Sequence, residues 1–112
     1  MSLALRLLPE PASVLAYTTI GATYMSIGSF SNPSRLLYLL STLDEPVWIS
    51  FNGIDNHIVL LNNGYFVLDV SSNQSFNQGL YIATGQRIYA KQVATTPTVG
   101  AIYMTTFYGA NG

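Results

Sequence analysis

The stretch Asp55-Asn-His-Ile-Val-Leu-Leu-Asn-Asn-Gly-Tyr-Phe-Val-Leu-Asp-Val70 contains two short apolar runs separated by a turn sequence. The turn, Asn62-Asn-Gly64, suits a three-residue hairpin loop in which Gly64 adopts the left-handed conformation. Because side chains of a strand point alternately to the two faces of a sheet, the turn also sets a register. The stretch therefore predicts a β-hairpin with three facing pairs: Leu61 and Tyr65, Val59 and Val67, and His57 and Asp69.

Both faces of this predicted hairpin are apolar. The face expected to point into the core carries Ile58, Leu60, Phe66, Leu68 and Val70. The opposite face, where an antiparallel sheet is normally polar, carries Val59, Leu61, Tyr65 and Val67. Exposed apolar patches larger than a few hundred Å² usually mark interaction surfaces. In a chain of 112 residues, we therefore expect another chain to provide the cover.

Turn signals recur at short intervals on both sides of the hairpin, for example at Asn52-Gly53, Thr84-Gly85 and Gly100. The runs between them are short and rich in residues that favour strands. Strands are predicted over residues 14–20, 22–28, 35–41, 47–52, 55–61, 65–70, 80–83, 87–93 and 101–108. Short strands at this spacing predict an all-β sandwich or barrel.

Two of these strands carry extra information. Residues 35–41 could instead form a short helix capped by Asn32 with Pro33 in its first turn, but the run is short for a helix, and a strand is preferred. Strand 101–108 is apolar on both sides, like the hairpin. One face carries Ile102, Met104 and Tyr108, and the other carries Tyr103 and Phe107.

Residues 1–12 differ from the remainder, which forms a single predicted domain over residues 13–112. They contain Pro9 and Pro11 and the alternating Leu3, Leu5 and Leu7. Proline removes amide donors and favours an extended or edge path. We expect an extended N-terminal arm that lies against its own domain or against a neighbouring subunit.

The composition excludes several classes of protein. Only 8% of the residues are charged, against about 25% in an average protein, and the formal net charge of −1 does not fit a nucleic-acid binder. The absence of Cys excludes disulfides, thiolate zinc sites and a thiol nucleophile. No apolar run approaches the ~20 residues of a membrane-spanning helix, and the first residues do not resemble a signal peptide. A weakly charged surface tolerates burial in an assembly.

Few residues are candidates for chemistry. The single histidine, His57, would face Asp69 with Asp55 nearby, an arrangement that could hold a metal ion but is more typical of an ordinary cross-strand pair. Asp44 and Glu45 are adjacent on a turn and cannot face each other across a cleft as glycosidase carboxylates do. The sequence therefore predicts neither an enzyme nor a cofactor.

Aromatic and basic residues are candidates for binding. Trp48 lies opposite the apolar face of its strand, so it is either partly exposed or covered by a partner. It could form a platform for sugar rings together with Tyr65, Tyr81, Tyr89, Tyr103 and Tyr108, although a core or interface role is more typical of Trp and Tyr. Arg87 and Lys91 share a strand face with Tyr89. The preferred interpretation is that they protect a sheet edge from aggregation, and the alternative is that they contact a partner's carboxylates.

A series of strand and turn motifs resembles the small β-sandwich structural proteins of tailed bacteriophage virions. It consists of Val47-Trp-Ile-Ser-Phe-Asn-Gly, Asp55-Asn-His-Ile-Val-Leu, Asn63-Gly-Tyr-Phe-Val-Leu-Asp, Gly85-Gln-Arg-Ile-Tyr-Ala-Lys-Gln and Gly100-Ala-Ile-Tyr-Met-Thr-Thr-Phe-Tyr-Gly. The resemblance covers residues 29–109 and implies an antiparallel, jelly-roll-like β-sandwich. It also implies a homo-oligomer, with a trimer favoured, and a location in the virion after synthesis in the host cytoplasm.

The function expected from these observations is that of a non-enzymatic virion protein. It would bind assembled capsid subunits as a cement or decoration protein, with the major capsid protein or other virion proteins as partners. The alternatives are a tail or head–tail adaptor and a carbohydrate-binding β-sandwich module. The residues predicted to contact the partner are Leu3, Leu5, Leu7, Trp48, Leu61 and Tyr65.

Overall fold

The computed structural model describes residues 5–69 and 82–111, and these residues form nine β-strands and one short 3-10 helix. The strands are β1 (Leu5–Pro9), β2 (Ser13–Ala16), β3 (Met25–Ser29), β4 (Ser34–Ser41), β5 (Val47–Ser50), β6 (Ile58–Leu60), β7 (Tyr65–Asp69), β8 (Arg87–Gln92) and β9 (Ala101–Asn111). The 3-10 helix, Tyr17–Thr19, follows β2 directly. The all-β prediction is confirmed, and the helical alternative for residues 35–41 is wrong, because they lie in β4.

The strands pair in a nested order. β2 pairs with β9, β3 with β8, β4 with β7, and β5 with β6, all antiparallel. These pairs are those of one long hairpin that is folded over on itself, which is the topology of a jelly roll. Further pairing of β4 with β9 and of β5 with β8 joins the strands into two sheets. Sheet A has the order β1-β9-β4-β7, with β2 also on β9, and sheet B has the order β3-β8-β5-β6.

The core lies between the two sheets. Sheet A contributes Leu15, Leu37, Leu39, Ile102 and Met104, and sheet B contributes Ile27, Val47, Ile49, Leu60, Ile88 and Ala90. These residues mostly alternate with exposed or half-buried ones, as expected when one face of a sheet is packed. The exceptions are Ser50, buried next to Ile49, and Ala101, buried next to Ile102. In the described residues, every fully buried side-chain polar atom has a hydrogen-bond partner.

The predicted hairpin over residues 55–70 is wrong, because β6 and β7 belong to different sheets. The intervening residues carry the chain across the edge of the sandwich. Asn63, with a φ of 56°, takes the left-handed conformation that was expected of Gly64. Gly64 is required for a different reason, since a Cβ atom there would lie 2.9 Å from the carbonyl oxygen of Leu61.

The N-terminal segment lies along its own domain. β1 pairs with the second half of β9, from Leu5 opposite Asn111 to Pro9 opposite Phe107, and β2 pairs with the first half. Glu10 secures the bend between them. Its N–H donates to the carbonyl of Thr106 (2.8 Å), and its carboxylate accepts the Thr106 hydroxyl (2.8 Å). The extended path predicted for the arm is confirmed over residues 5–9, whereas Leu3 lies outside the described residues.

The strand predicted over residues 80–83 lies only partly within the described residues. Ile82 forms an isolated bridge with Ser34, while residues 80 and 81, and Val70 at the end of another predicted strand, lie outside the described residues.

Candidate functional site

The strongest candidate site is the outer face of sheet A, the side turned away from sheet B. Its first row runs across four strands. Val14 of β2 lies opposite Tyr103 of β9, which lies opposite Leu40 of β4, which in turn lies opposite Tyr65 of β7. Because the inner neighbours of these residues are buried in the core, their own side chains point outward.

Two further rows extend this surface along the strands. One contains Thr105, Tyr38 and Val67, and the other contains Phe107, Leu36 and Asp69. We define the outer face of sheet A as the nine uncharged residues of the three rows: Val14, Leu36, Tyr38, Leu40, Tyr65, Val67, Tyr103, Thr105 and Phe107. Asp69 lies at its margin.

Several of these side chains are strongly exposed. Tyr65 is 71% exposed, Val14 54%, Val67 46% and Tyr103 39%, and the remainder are half-buried among their neighbours. The outer face of a solvated antiparallel sheet is normally polar. Here it consists of aliphatic and aromatic side chains with one threonine. The surface therefore has the composition of a contact surface.

The outer face of sheet B has a different character. It contains Trp48, which lies between Val59 of β6 and Lys91 of β8. The Lys91 ammonium lies 4.7 Å from the ring centroid of Tyr24, a cation–π contact. Burial raises the pKa of the Tyr24 hydroxyl, an effect that a hydrogen bond with Ser50 opposes and the nearby Asp55 carboxylate reinforces.

The position of β8 corrects one expectation from the sequence. Arg87 and Lys91 do share an outward face, but β8 lies between β3 and β5 and is not an edge strand. Edge protection, the preferred interpretation of these two cations, is therefore wrong. Arg87 donates to the Ser26 hydroxyl (3.2 Å), a neutral partner.

The loop after β5 is held by a dense set of short-range hydrogen bonds. The Ser50 hydroxyl donates to the side-chain oxygen of Asn52 (2.9 Å) and accepts the N–H groups of Asn52 (3.2 Å) and Gly53 (2.9 Å). The same Asn52 oxygen accepts the N–H groups of Ile54 and Asp55, both at 2.9 Å. This turn presents Ile54, 79% exposed, at its tip.

His57 belongs to this loop and does not face Asp69. Its Nδ1 accepts the N–H of Phe51 (3.0 Å), so its role in the described structure is to close the loop. The predicted His57–Asp69 pair is wrong, because β6 and β7 lie in different sheets. Within residues 5–69 and 82–111, no group of three or more His, Asp or Glu side chains is placed to hold a metal ion.

The predicted contact residues do not form one surface. Tyr65 lies on the outer face of sheet A, half-buried Trp48 on the outer face of sheet B, and Leu61, 62% exposed, in the connection from β6 to β7. Leu5 and Leu7 lie in β1 along β9. The predicted apolar patch of Val59, Leu61, Tyr65 and Val67 is likewise divided, although all four side chains are exposed as expected.

The aromatic platform suggested for sugar rings is also divided. Tyr65 and Tyr103 lie on the outer face of sheet A, whereas Trp48 and Tyr89 belong to sheet B. Gly53 lies against the Tyr89 ring, since a Cβ atom there would be 3.4 Å from three of its carbon atoms. Tyr81, another member of the suggested platform, lies outside the described residues.

The sequence reasoning missed half of the outer face of sheet A. It assigned Tyr103 and Phe107 to a second apolar face of β9, but it overlooked Leu36, Tyr38 and Leu40 of β4, which lie between β9 and β7. The missed signal was an apolar side chain at every position from 36 to 40, which predicts a strand that is apolar on both faces.

In the described part of the chain, no helix is long and apolar enough to span a membrane. Comparison of the chain with protein-family models, with curated proteins and with solved structures found no match.

Proposed function

We propose that this protein is a non-enzymatic structural component of a multi-chain particle, and specifically a cement or decoration protein that binds assembled capsid subunits. The observation that carries the proposal is the outer face of sheet A. A four-strand row of apolar side chains that includes Tyr65 at 71% exposure and Val14 at 54% is unfavourable in water and favourable in a protein contact.

The mechanism is mass action. Apolar area contributes about 25 cal/mol for each Å² removed from water, less the cost of association and of ordering side chains. A protein that binds only the assembled shell stabilises that state relative to free subunits. This function requires a persistent apolar surface and no reactive group, and the outer face of sheet A is a surface of that kind.

The fold adds support by analogy. Jelly rolls are common in viral capsid domains, and also in lectins and cupins. Since one fold hosts many functions, the exposed surface supports the proposal more strongly than the topology does. A tail or head–tail adaptor would use the same surface and differs only in its place in the particle. A carbohydrate-binding module fits less well, because the aromatic rings are divided between two faces.

Co-sedimentation with virus particles purified from the cells that make this protein tests the proposal. The wild-type protein should pellet with the particles, and Val14→Lys should reduce the bound fraction at least tenfold. Val99→Lys is the matched control, since Val99 is a loop valine of similar exposure, 56% against 54% for Val14. If the wild-type protein stays in the supernatant at every particle concentration, the proposal is wrong.

A further inference from the structure

We infer that the outer face of sheet A binds a second copy of this chain, the two sheets packing face to face about a two-fold axis. The inference deepens the proposed function and depends on its premise that this face is buried in an assembly. It names the partner that covers the face in the free protein, which the assembled shell would replace in the particle, and it places a dimer where the resemblance implied a trimer.

The charge pattern supports a copy of the same chain as the partner. None of the nine residues of the face carries a charge at neutral pH. A charged side chain of a partner would lose its water against such a face and find no counter-charge there, which is costly. Average protein surfaces contain many charged residues, whereas the nine residues of this face meet their own copies without burying a charge. The neighbouring charged residues, Asp69 opposite Leu36 and Arg35 at the β-bulge of β4, lie at the margin of the third row. A two-fold contact uses the same patch on both subunits.

The exposed area is sufficient for such a contact. Given 150–250 Å² for a whole aromatic side chain, the exposed parts of the nine residues of the face amount to roughly 500 Å². A stable interface of standard size buries about 800 Å² on each partner, and weak or transient contacts bury less. The face is therefore large enough for a reversible dimer, and a further contact would be needed for a permanent one.

The side chains also fit each other in shape and polarity. A two-fold axis parallel to the strands sets the β2 side of one copy over the β7 side of the other. The large Tyr65 of one subunit then lies over the smaller Val14 of its partner, which allows the two faces to interdigitate. Tyr65 lies on the edge strand β7, where its hydroxyl can remain hydrogen-bonded to water, whereas the hydroxyls of Tyr38 and Tyr103 would need partners across the contact.

Sedimentation velocity of the purified protein over a range of concentrations is the first test. We expect a monomer–dimer equilibrium that Val14→Lys weakens at least tenfold and Val99→Lys leaves unchanged, with far-UV circular dichroism showing that both variants are folded. A wild-type monomer at all concentrations, a trimer, or equal weakening by the control would overturn the inference.

Cross-linking gives a second test that does not depend on a disruptive variant. The chain contains no cysteine, so a single introduced thiol is unique. Facing sheets lie about 10 Å apart, too far for a disulfide but within reach of a short bis-maleimide. Thr105→Cys, at the centre of the face, should form a covalent dimer, and Thr23→Cys, in an exposed loop, should not. Equal yields from both variants would contradict the inference.

The two proposals fail in distinguishable ways. If the purified protein is a monomer but pellets with particles in a manner that depends on Val14, the dimer is wrong and the proposed function stands. If the protein dimerises through Thr105 and Val14 but never pellets with particles, the capsid function is wrong and the self-contact stands.

Discussion

The rings of Tyr38 and Tyr65 lie against each other on the outer face of sheet A, with their centroids 6.4 Å apart and their planes tilted by 41°. The two residues are diagonal neighbours on adjacent strands, since Tyr38 lies opposite Val67 and Tyr65 lies opposite Leu40. A tilted aromatic pair at this distance is favourable beyond the area it buries. Tyr65 makes this contact although most of its surface is exposed.

A double-mutant cycle measures this contact. We expect Tyr38→Ala and Tyr65→Ala to couple by about 0.5–1 kcal/mol in the free energy of unfolding, measured by urea denaturation at low protein concentration. The pair Tyr65→Ala and Tyr103→Ala is the control and should be additive, because Leu40 lies between the two rings in the same row. Additivity of the first pair would show that the ring contact contributes nothing.

Substitution of Gly100 and of Gly85 distinguishes the cost of a steric clash from the cost of backbone strain. Both have left-handed φ values, 98° and 88°, but a Cβ atom on Gly100 would lie 2.1 Å from the Thr42 carbonyl oxygen, whereas nothing lies within 4 Å of one on Gly85. We expect Gly85→Ala to cost about 1–2 kcal/mol and Gly100→Ala more than about 3 kcal/mol, measured by thermal unfolding. Equal losses of stability would contradict the close approach of Gly100 to Thr42.

Ser50, the last residue of β5, should be the most sensitive of the residues that hold the following loop. It is fully buried, and its hydroxyl satisfies two N–H groups and the Asn52 side chain. Ser50→Ala leaves the N–H groups of Asn52 and Gly53 without their acceptor and should lower the free energy of unfolding by about 1–3 kcal/mol. Ser29→Ala, at an exposed position in β3, should change it by less than about 0.5 kcal/mol. If Ser50→Ala left the free energy of unfolding unchanged, a water molecule would be replacing the hydroxyl.

Asp44 links the loop before β5 to the loop before β9 and makes part of the stability depend on pH. Its carboxylate accepts the hydroxyl and the N–H of Thr98, and these bonds lower the pKa of Asp44 below its ordinary value of 3.8. Because the folded pKa is the lower one, this stabilisation is present above the ordinary value and is lost as the pH falls through the folded value.

An NMR titration of the Asp44 carboxyl group tests this assignment. Thr98→Val removes the hydroxyl bond and keeps the N–H bond, so the midpoint should rise towards 3.8 without reaching it. Thr95→Val, at an exposed position nearby, should leave the midpoint at the wild-type value. Identical midpoints in all three proteins would show that the Thr98 hydroxyl does not act on Asp44.

The residues on either side of Asn63 show what could be predicted locally. The sequence placed Ile58, Leu60, Phe66 and Leu68 towards the core and Val59, Leu61, Tyr65 and Val67 towards the outside, and the structure agrees at each of these positions. Such a prediction depends only on the two-residue period of a strand. The prediction of inward and outward side chains holds whichever strand pairs with the one in question.

The pairing of β6 with β5 and of β7 with β4 was decided only in the tertiary structure. Backbone N–H and C=O groups are the same at every residue except proline, so a strand carries little local information about its partner. The nested pairing of the jelly roll prevails because it covers the inner faces of both sheets at once, which a local hairpin over residues 55–70 would not. The same pairing brings Val14, Tyr103, Leu40 and Tyr65 into one row, and no local pattern in the sequence shows that these four residues are neighbours.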